Sequence, residues 1–121
     1  MSRRSAKENP QLLHLLVELR RASRAHAAPV WSTVAARLER ARHSVDPVNV
    51  GQLERLAGAG ETVVVPGKVL ADGPLSKAIT VAAFSFSAGA REKIRAAGGS
   101  TLTLPALLKA NPKGAGVRLL A

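Results

Sequence analysis

Several residue types are scarce in this sequence, and each scarcity excludes a class of protein. Cysteine is absent, which removes disulfide frameworks, cysteine-ligated zinc, iron–sulfur clusters and thiol nucleophiles. Tyrosine is also absent, and there are only one tryptophan and two phenylalanines. Because splayed single-stranded bases are held by stacking on aromatic rings, we do not expect base stacking to be the chain's means of recognition.

Long uncharged apolar stretches are missing as well. Lysine or arginine recurs along almost the whole sequence, so no segment approaches the roughly 18 apolar residues needed to cross a bilayer. The apolar segment 12–19 is interrupted by His14 and Glu18 and therefore lacks the uncharged core of a signal peptide. We expect a soluble, cytoplasmic protein.

Acidic residues are few relative to basic ones. The 121 residues carry 18 Lys and Arg against 8 Asp and Glu, a net charge of +10. Residues 1–43 carry a net +6, residues 44–75 a net −2 and residues 76–121 a net +6. Such an excess destabilises a compact chain by self-repulsion, which favours a polyanionic partner, nucleic acid first of all. A solvated basic surface that only keeps the chain soluble remains open, whereas membrane binding fits less well, because no helix sets one broad basic face opposite an apolar one.

The N-terminal third predicts two helices. Asn9 and Pro10 are typical of a helix start, and leucines at three- and four-residue spacing continue this helix to about Ala25, with Leu13 and Val17 expected to widen its apolar face. A second helix is expected from Pro29, with Trp31 as a core anchor rather than a base-stacking platform. The two helices should form a hairpin.

The remaining sequence alternates short strand and helix patterns, with strands expected near 45–50, 62–65, 68–70, 79–84 and 101–104. Pro66–Gly67 is read as a type II turn that ends the run 62–65, Ser87 as a helix cap, and Pro105 as the start of a last short helix. We therefore predict an α/β fold, an N-terminal helical hairpin followed by a compact body of short strands and helices, in one domain. Residues 1–43 would form a basic arm and hairpin, 44–112 the α/β body, and 113–121 a basic Gly-rich tail.

Catalytic and cofactor chemistry finds little support in the residues. The segment 58–62 resembles part of a phosphate-binding loop but lacks the following Gly-Lys-Ser/Thr and helix, so we expect a plain turn. His14, His26 and His43 have no carboxylates at ligand spacing, and no paired carboxylates are placed for acid–base work. We expect no metal, no cofactor and no enzymatic activity.

The run Gly-Glu-Thr-Val-Val-Val-Pro-Gly-Lys-Val-Leu at 60–70 resembles the eighteen-e family of large-subunit ribosomal proteins of archaea and eukaryotes. Matching stretches occur in order over nearly the whole chain, and its compactness looks archaeal. These stretches are Asn9–Pro10, Val30–Trp31, Val34–Ala35, Arg37–Leu38–Glu39, Val48–Gly51, Ile79–Ala83, Phe86–Ser87 and Asn111–Pro112.

The resemblance implies a body similar to the C-terminal domain of bacterial large-subunit protein fifteen, an irregular superhelix of strand–strand–helix units. It also implies a structural role in the ribosome, with large-subunit ribosomal RNA and neighbouring ribosomal proteins as partners and with no catalysis, cofactor, membrane or small-molecule substrate. An architectural double-stranded DNA-binding protein, and a small nucleotide-binding enzyme that uses the 58–62 turn, remain the alternatives.

The candidate RNA contacts are the clustered or turn-borne cations. Helix capping is the competing interpretation for the arginines that close the first helix, and simple exposure is the competing one for the lysine after the predicted turn. We expect residues 113–118 to become ordered only on RNA. The full set comprises Arg3, Arg4 and Lys7 in the arm, Arg20, Arg21 and Arg24 on the first helix, Arg37, Arg40 and Arg42 on the second, Lys68, and Lys113 and Arg118 in the tail.

Overall fold

The N-terminal part of the described chain is a helical hairpin. The computed structural model describes residues 10–41 and 47–120, without the side chain of Ala41. Helix α1 spans Pro10–Ala25 and α2 spans Pro29–Ala41, as the proline positions predicted. Trp31, near the start of α2, is fully buried in the core, which confirms its role as a core anchor.

The buried stripe of α1 is narrower than expected. Leu12, Leu15, Leu16, Leu19 and Ala22 are buried. Leu13 and Val17, expected to widen the stripe, are instead 39% and 53% exposed. The hairpin contacts the sheet mainly through α2, and α1 packs chiefly on α2, so Leu13 and Val17 lie on the side of α1 that faces away from the core.

The middle of the chain forms a parallel sheet. Its strands are β1 (Val48–Asn49), β2 (Thr62–Leu70), β3 (Thr80–Phe86), β4 (Ser100–Thr103) and β5 (Val117–Leu119). Strand β3 pairs with β2 and β4, while β1 and β5 pair with opposite ends of the other edge of β2, all in parallel. The α/β class is therefore confirmed.

Three short helices connect the strands. They are α3 (Val50–Leu56), α4 (Ala88–Ala96) and α5 (Leu104–Ala110). The hydroxyl of Ser87 accepts the N–H of Ala90 at 3.1 Å, as the predicted cap requires, and Thr103 caps α5 in the same way at 3.2 Å. Gly98, with φ +88°, ends α4 in the left-handed conformation that favours glycine.

The sheet separates two apolar layers because successive strand residues face opposite sides. Val64 and Ala82 pack with α1, α2 and α5. Val63, Val65 and Val81 pack with α3 and α4 on the other side. The order β2, β3, α4 forms one strand–strand–helix unit, and both of its strands lie in the interior of the sheet.

The predicted turn at Pro66–Gly67 is wrong. Strand β2 continues through both residues, and its pairing with β3 shifts register between Val65 and Lys68. A type II turn needs positive φ at Gly67, which is not among the glycines with positive φ. Proline is tolerated inside a strand at such an irregularity, because no regular ladder hydrogen bond is required there.

The expectation that residues 113–118 order only on RNA is also wrong. Val117–Leu119 adds to β2 as β5, and the Leu120 N–H donates to the carbonyl of Val64 at 2.9 Å. The Trp31 Nε1–H donates to the Pro112 carbonyl at 2.7 Å, which holds the start of this segment against α2. Non-local contacts thus order a segment whose composition alone indicated disorder.

Candidate nucleic-acid interface

Three candidate cations stand on α1, and the structure separates them into paired and unpaired side chains. Arg20 Nη2 lies 2.5 Å from Oε1 of Glu39 on α2, so this ion pair joins the two helices. Arg21 Nη1 lies 3.0 Å from Oε2 of Glu18 one turn earlier. Arg24 is exposed and has no partner among the described residues. Only Arg24 is therefore free to meet an external anion without first giving up a carboxylate.

The candidate cations on α2 are unpaired within the described part of the chain. Arg37 is half-buried and Arg40 is exposed in the last turn. Arg24 lies next to the connection between the helices, whereas Arg40 is 11 residues after Pro29, about 16 Å along α2 at about 1.5 Å per residue. The free cations are distributed along the hairpin and do not surround one small anion.

Lys68 is exposed, as expected, but it stands on a strand rather than at the tip of a turn. It is the register partner of Ser85 on β3. In the basic segment after α5, Lys113 is exposed and unpaired among the described residues. Arg118 Nη1 lies 3.2 Å from Oε1 of Glu61, so β5 brings this candidate to a carboxylate that lies 57 residues away in sequence.

Most described carboxylates have partners inside the protein. Glu54 accepts the backbone N–H of Ser76 at 2.9 Å and its hydroxyl at 2.7 Å, and chiefly that backbone hydrogen bond lowers the pKa of Glu54. The pKa of Glu61 is lowered first by the N–H of Gly58, at 2.7 Å, and then by Arg118. These acids hold loops in place and are not a free negative surface.

Several other cations are also engaged by the protein itself. The Arg95 guanidinium forms an ion pair with Glu92 at 2.7 Å, which raises the pKa of Arg95. Lys77 Nζ donates to the Ala57 carbonyl at 2.9 Å. Lys93 Nζ donates to two carbonyl oxygens in the loop after β2, at 2.6 and 2.8 Å. These three cations stabilise local structure and are not among the candidate contacts.

Sequence reasoning missed two exposed cations that have no partner in the described chain, Arg55 and Lys109. Each stands two residues after a buried leucine, Leu53 in α3 and Leu107 in α5. Two helical residues rotate the chain by about 200°, so the pattern of buried leucines was itself a signal of their exposure. Because α3 and α1 pack on opposite faces of the sheet, free cations occur on both faces.

Four candidates lie outside the described residues, namely Arg3, Arg4, Lys7 and Arg42. His43 lies outside them too, while His14 and His26 are exposed. Within residues 10–41 and 47–120, no group of three or more His, Cys, Asp or Glu side chains is placed to hold a metal ion. No helix of this part of the chain is long and apolar enough to cross a bilayer.

The segment 58–62 forms the plain turn that the sequence predicted. The Glu61 N–H donates to the Gly58 carbonyl at 3.1 Å, and Gly60 has φ +83°. A phosphate cradle needs backbone N–H groups that point at the ligand, but the Gly58 N–H is already bound to the Glu61 carboxylate. The turn therefore provides no nucleotide site.

Fold and surface together define a class, a small basic α/β protein with unpaired cations on both faces of a parallel sheet. The sequence profile of the family described as "Ribosomal protein 60S L18 and 50S L18e" matches residues 1–121. This chain therefore belongs to that family of ribosomal proteins.

Individual relatives agree with the profile over nearly their full length. "Large ribosomal subunit protein eL18" of Methanoregula boonei is 44% identical over 120 residues, 99% of either chain. The protein of the same description from Archaeoglobus fulgidus is 49% identical over 114 residues, 94% of this chain and 97% of its own. The one from Halobacterium salinarum is 44% identical over 115 residues, 95% and 98% of the two chains.

This membership confirms several expectations. The resemblance to the eighteen-e family is correct, and the archaeal character matches the relatives just described. Members of the family are structural proteins of the ribosome, which confirms that the chain is not an enzyme and places it in the ribosome of the cytoplasm. The candidate cations themselves remain a prediction.

Proposed function

We propose that this chain binds and stabilises large-subunit ribosomal RNA as a structural constituent of that subunit, with ribosomal proteins as its neighbours. Its relatives are described as large ribosomal subunit proteins. The proposal rests on a difference between the acidic and the basic side chains of the described surface. The described glutamates are engaged by arginines or loop backbone, while Arg24, Arg37 and Arg40 of the hairpin have no partner among the described residues.

An extended polyanion fits this arrangement better than a small ligand does. The unpaired cations of the hairpin extend over about 16 Å along α2. Lys68 and Lys113 would add contacts beyond it, and Arg55 would add one on the opposite face of the sheet. Affinity would come from phosphate neutralisation, and selectivity from the shape of RNA that matches these fixed positions.

The paired candidates also fit an RNA contact. Arg20, Arg21 and Arg118 have side chains between 41% and 63% exposed and form ion pairs with glutamates that are 35–46% exposed. Exposed pairs are worth only about 0–1 kcal/mol, so a phosphate can share or replace the carboxylate at little cost. Arginine suits this exchange because its planar fork binds two phosphate oxygens. The proposal also includes Arg3, Arg4, Lys7 and Arg42.

The test is the salt dependence of RNA affinity for Arg37→Ala combined with Arg40→Ala. Each lost phosphate contact should reduce the slope of log K against log salt by about 0.7–0.9, so we expect the double variant to flatten it by about one to two. Arg95→Ala is the control, because it also removes one positive charge but from α4, which packs on the face of the sheet opposite the hairpin. It should leave the slope unchanged.

A slope that the double variant leaves unchanged would reject these two positions. The same titration with duplex DNA of equal length tests the architectural alternative. We expect tighter binding to structured large-subunit RNA, and equal affinity for duplex DNA would contradict the proposal.

A further inference from the structure

One large aromatic side chain remains exposed in a groove at the edge of the hairpin. Phe84, on β3, is 44% exposed. The groove has a volume of about 1010 Å³ and runs between α1 and the start of α5. Its floor includes buried residues such as Leu15 and Leu104, while Phe84 and Leu108 line its wall.

The groove lies toward the carboxyl ends of two neighbouring strands. Phe84 stands in the carboxyl-terminal half of β3, and Thr103, which also lines the groove, is the last residue of β4. The sheet and the helices α1 and α5 therefore all contribute to its lining.

Charge at the groove favours an anionic occupant. Lys109 and Arg21 line it beside the imidazoles of His14 and His26, and Glu18, the lone acid of its lining, is paired with Arg21 at 3.0 Å, which leaves Lys109 as the uncompensated charge. Lys109 has no partner in the described chain. An apolar wall with an aromatic face and a cationic border is complementary to a nucleotide, whose base is flat and whose phosphate is negative.

The other phenylalanine shows the contrast. Phe86 is half-buried, and the guanidinium of Arg91 lies 5.5 Å from the centre of its ring. Among the described residues, no cation or second ring covers Phe84 in this way. The Phe86 ring is thus covered by a cation of the same chain, whereas the Phe84 ring lines the groove.

We propose that the groove between α1 and α5 binds one unpaired nucleotide of the RNA, with its base stacked on Phe84 and its phosphate near Lys109. The inference rests on the proposed function, because it deepens the RNA contact. The scarcity of aromatics argued against stacking as the general means of recognition, and this proposal departs from that expectation at one site only.

The experiment measures how tightly the purified protein binds large-subunit ribosomal RNA. The RNA is isolated from the cells that produce the protein and is freed of other proteins. Loss of a base–aromatic stack on alanine substitution corresponds to about 1–3 kcal/mol, so Phe84→Ala should weaken binding about 5- to 150-fold. The salt slope should stay that of the wild type, because a stack involves no counterion release. Phe84→Tyr, which keeps the ring, should bind within about twofold of the wild type.

Two further variants separate stacking from apolar contact and from damage to the fold. Phe84→Leu retains an apolar side chain in the groove but removes the aromatic face, and we expect it to lose affinity as well. Leu56→Ala truncates a comparably exposed apolar residue, 48% exposed, at the end of α3 on the opposite face of the sheet. It should leave RNA affinity unchanged.

The outcomes are distinguishable. If Phe84→Ala and Phe84→Leu bind RNA like the wild type, the inference is overturned while the proposed function stands. If Phe84→Ala also reduces recovery in large subunits without changing RNA affinity, an apolar side chain of a neighbouring protein fills the groove, which again overturns it. If the wild-type chain itself fails to bind the RNA, the proposed function fails together with this inference.

Discussion

Replacing Trp31 by phenylalanine tests how the C-terminal segment is held to the helical hairpin. Trp31 is fully buried, and its indole N–H donates to the Pro112 carbonyl at 2.7 Å. Directly after this contact, Gly114 has φ +69° and approaches so closely that a Cβ there would lie 2.8 Å from Val30 Cγ1. Phenylalanine keeps most of the buried ring but cannot donate the hydrogen bond.

The expected loss of stability follows from two effects. Leaving the part-buried Pro112 carbonyl without its donor costs about 1–3 kcal/mol. The smaller ring leaves a void of a few tens of Å³, which adds about 1 kcal/mol at about 24 cal/mol per Å³. We therefore expect Trp31→Phe to lower the free energy of unfolding by about 2–4 kcal/mol.

The assay is urea denaturation followed by circular dichroism, since the variant lacks the chain's only tryptophan and its fluorescence. Hydrogen exchange should show faster exchange at the Leu120 N–H, which bonds to Val64 across the β5 pairing. Val17→Ala, at a 53% exposed site of α1, is the control and should change stability by no more than about 0.5 kcal/mol. A Trp31→Phe effect as small as that of the control would refute the reasoning.

Three other perturbations test local parts of the account by thermal or urea unfolding. Gly99→Ala should destabilise by about 1–3 kcal/mol, because its Cβ would lie 2.1 Å from the carbonyl oxygen of the residue before β3; Gly58→Ala, whose Cβ meets nothing nearer than 3.5 Å, should not show that loss. Ser87→Ala should cost about 1 kcal/mol by removing the cap of α4, and no measurable loss would contradict the assigned cap. Because the pKa values of Glu54 and Glu61 are lowered in the folded state, both carboxylates stabilise the fold fully above about pH 5. This stabilisation is lost as the pH falls from about 4.3, the unfolded value, through the lower folded-state values. The double variant Glu54→Gln with Glu61→Gln should therefore lose less stability between pH 6 and pH 3 than the wild type, and equal losses would reject the assignment.

Local signals predicted the helices well. Pro10 and Pro29 mark the first residues of α1 and α2, because proline lacks the N–H that a first helical position leaves unpaired. Ser87 marks the start of α4 through its side-chain acceptor. These features act within one helical turn, so the sequence alone contains them.

Features that depend on distant residues were not predictable in the same way. Pro66–Gly67 has the composition of a turn, but pairing with β3 keeps it extended. The Gly-rich segment after α5 is ordered because β5 pairs with β2 and because the Trp31 indole N–H donates a hydrogen bond to the Pro112 carbonyl at its start. In both places, tertiary contacts outweigh a local preference worth only about 1 kcal/mol.

The candidate RNA-binding residues were likewise predictable only in part. Clustered arginines were visible in the sequence, but which of them are free depends on tertiary pairing. Arg20 meets Glu39 only because the hairpin closes, and Arg118 meets Glu61 only because β5 joins β2. Arg55 stays exposed and unpaired in the described chain although it lies in the segment of net negative charge.

A structural constituent of the large subunit that is held to its RNA by electrostatic contacts should stay with that subunit until salt weakens those contacts. The most direct measurement is sedimentation of native cell extract on sucrose gradients at moderate and then high salt, with each fraction probed for this chain. We predict co-migration with large subunits that persists at moderate salt and is lost only at high salt, because phosphate contacts weaken steeply with ionic strength. Recovery solely in light, RNA-free fractions at both salt concentrations would contradict the account.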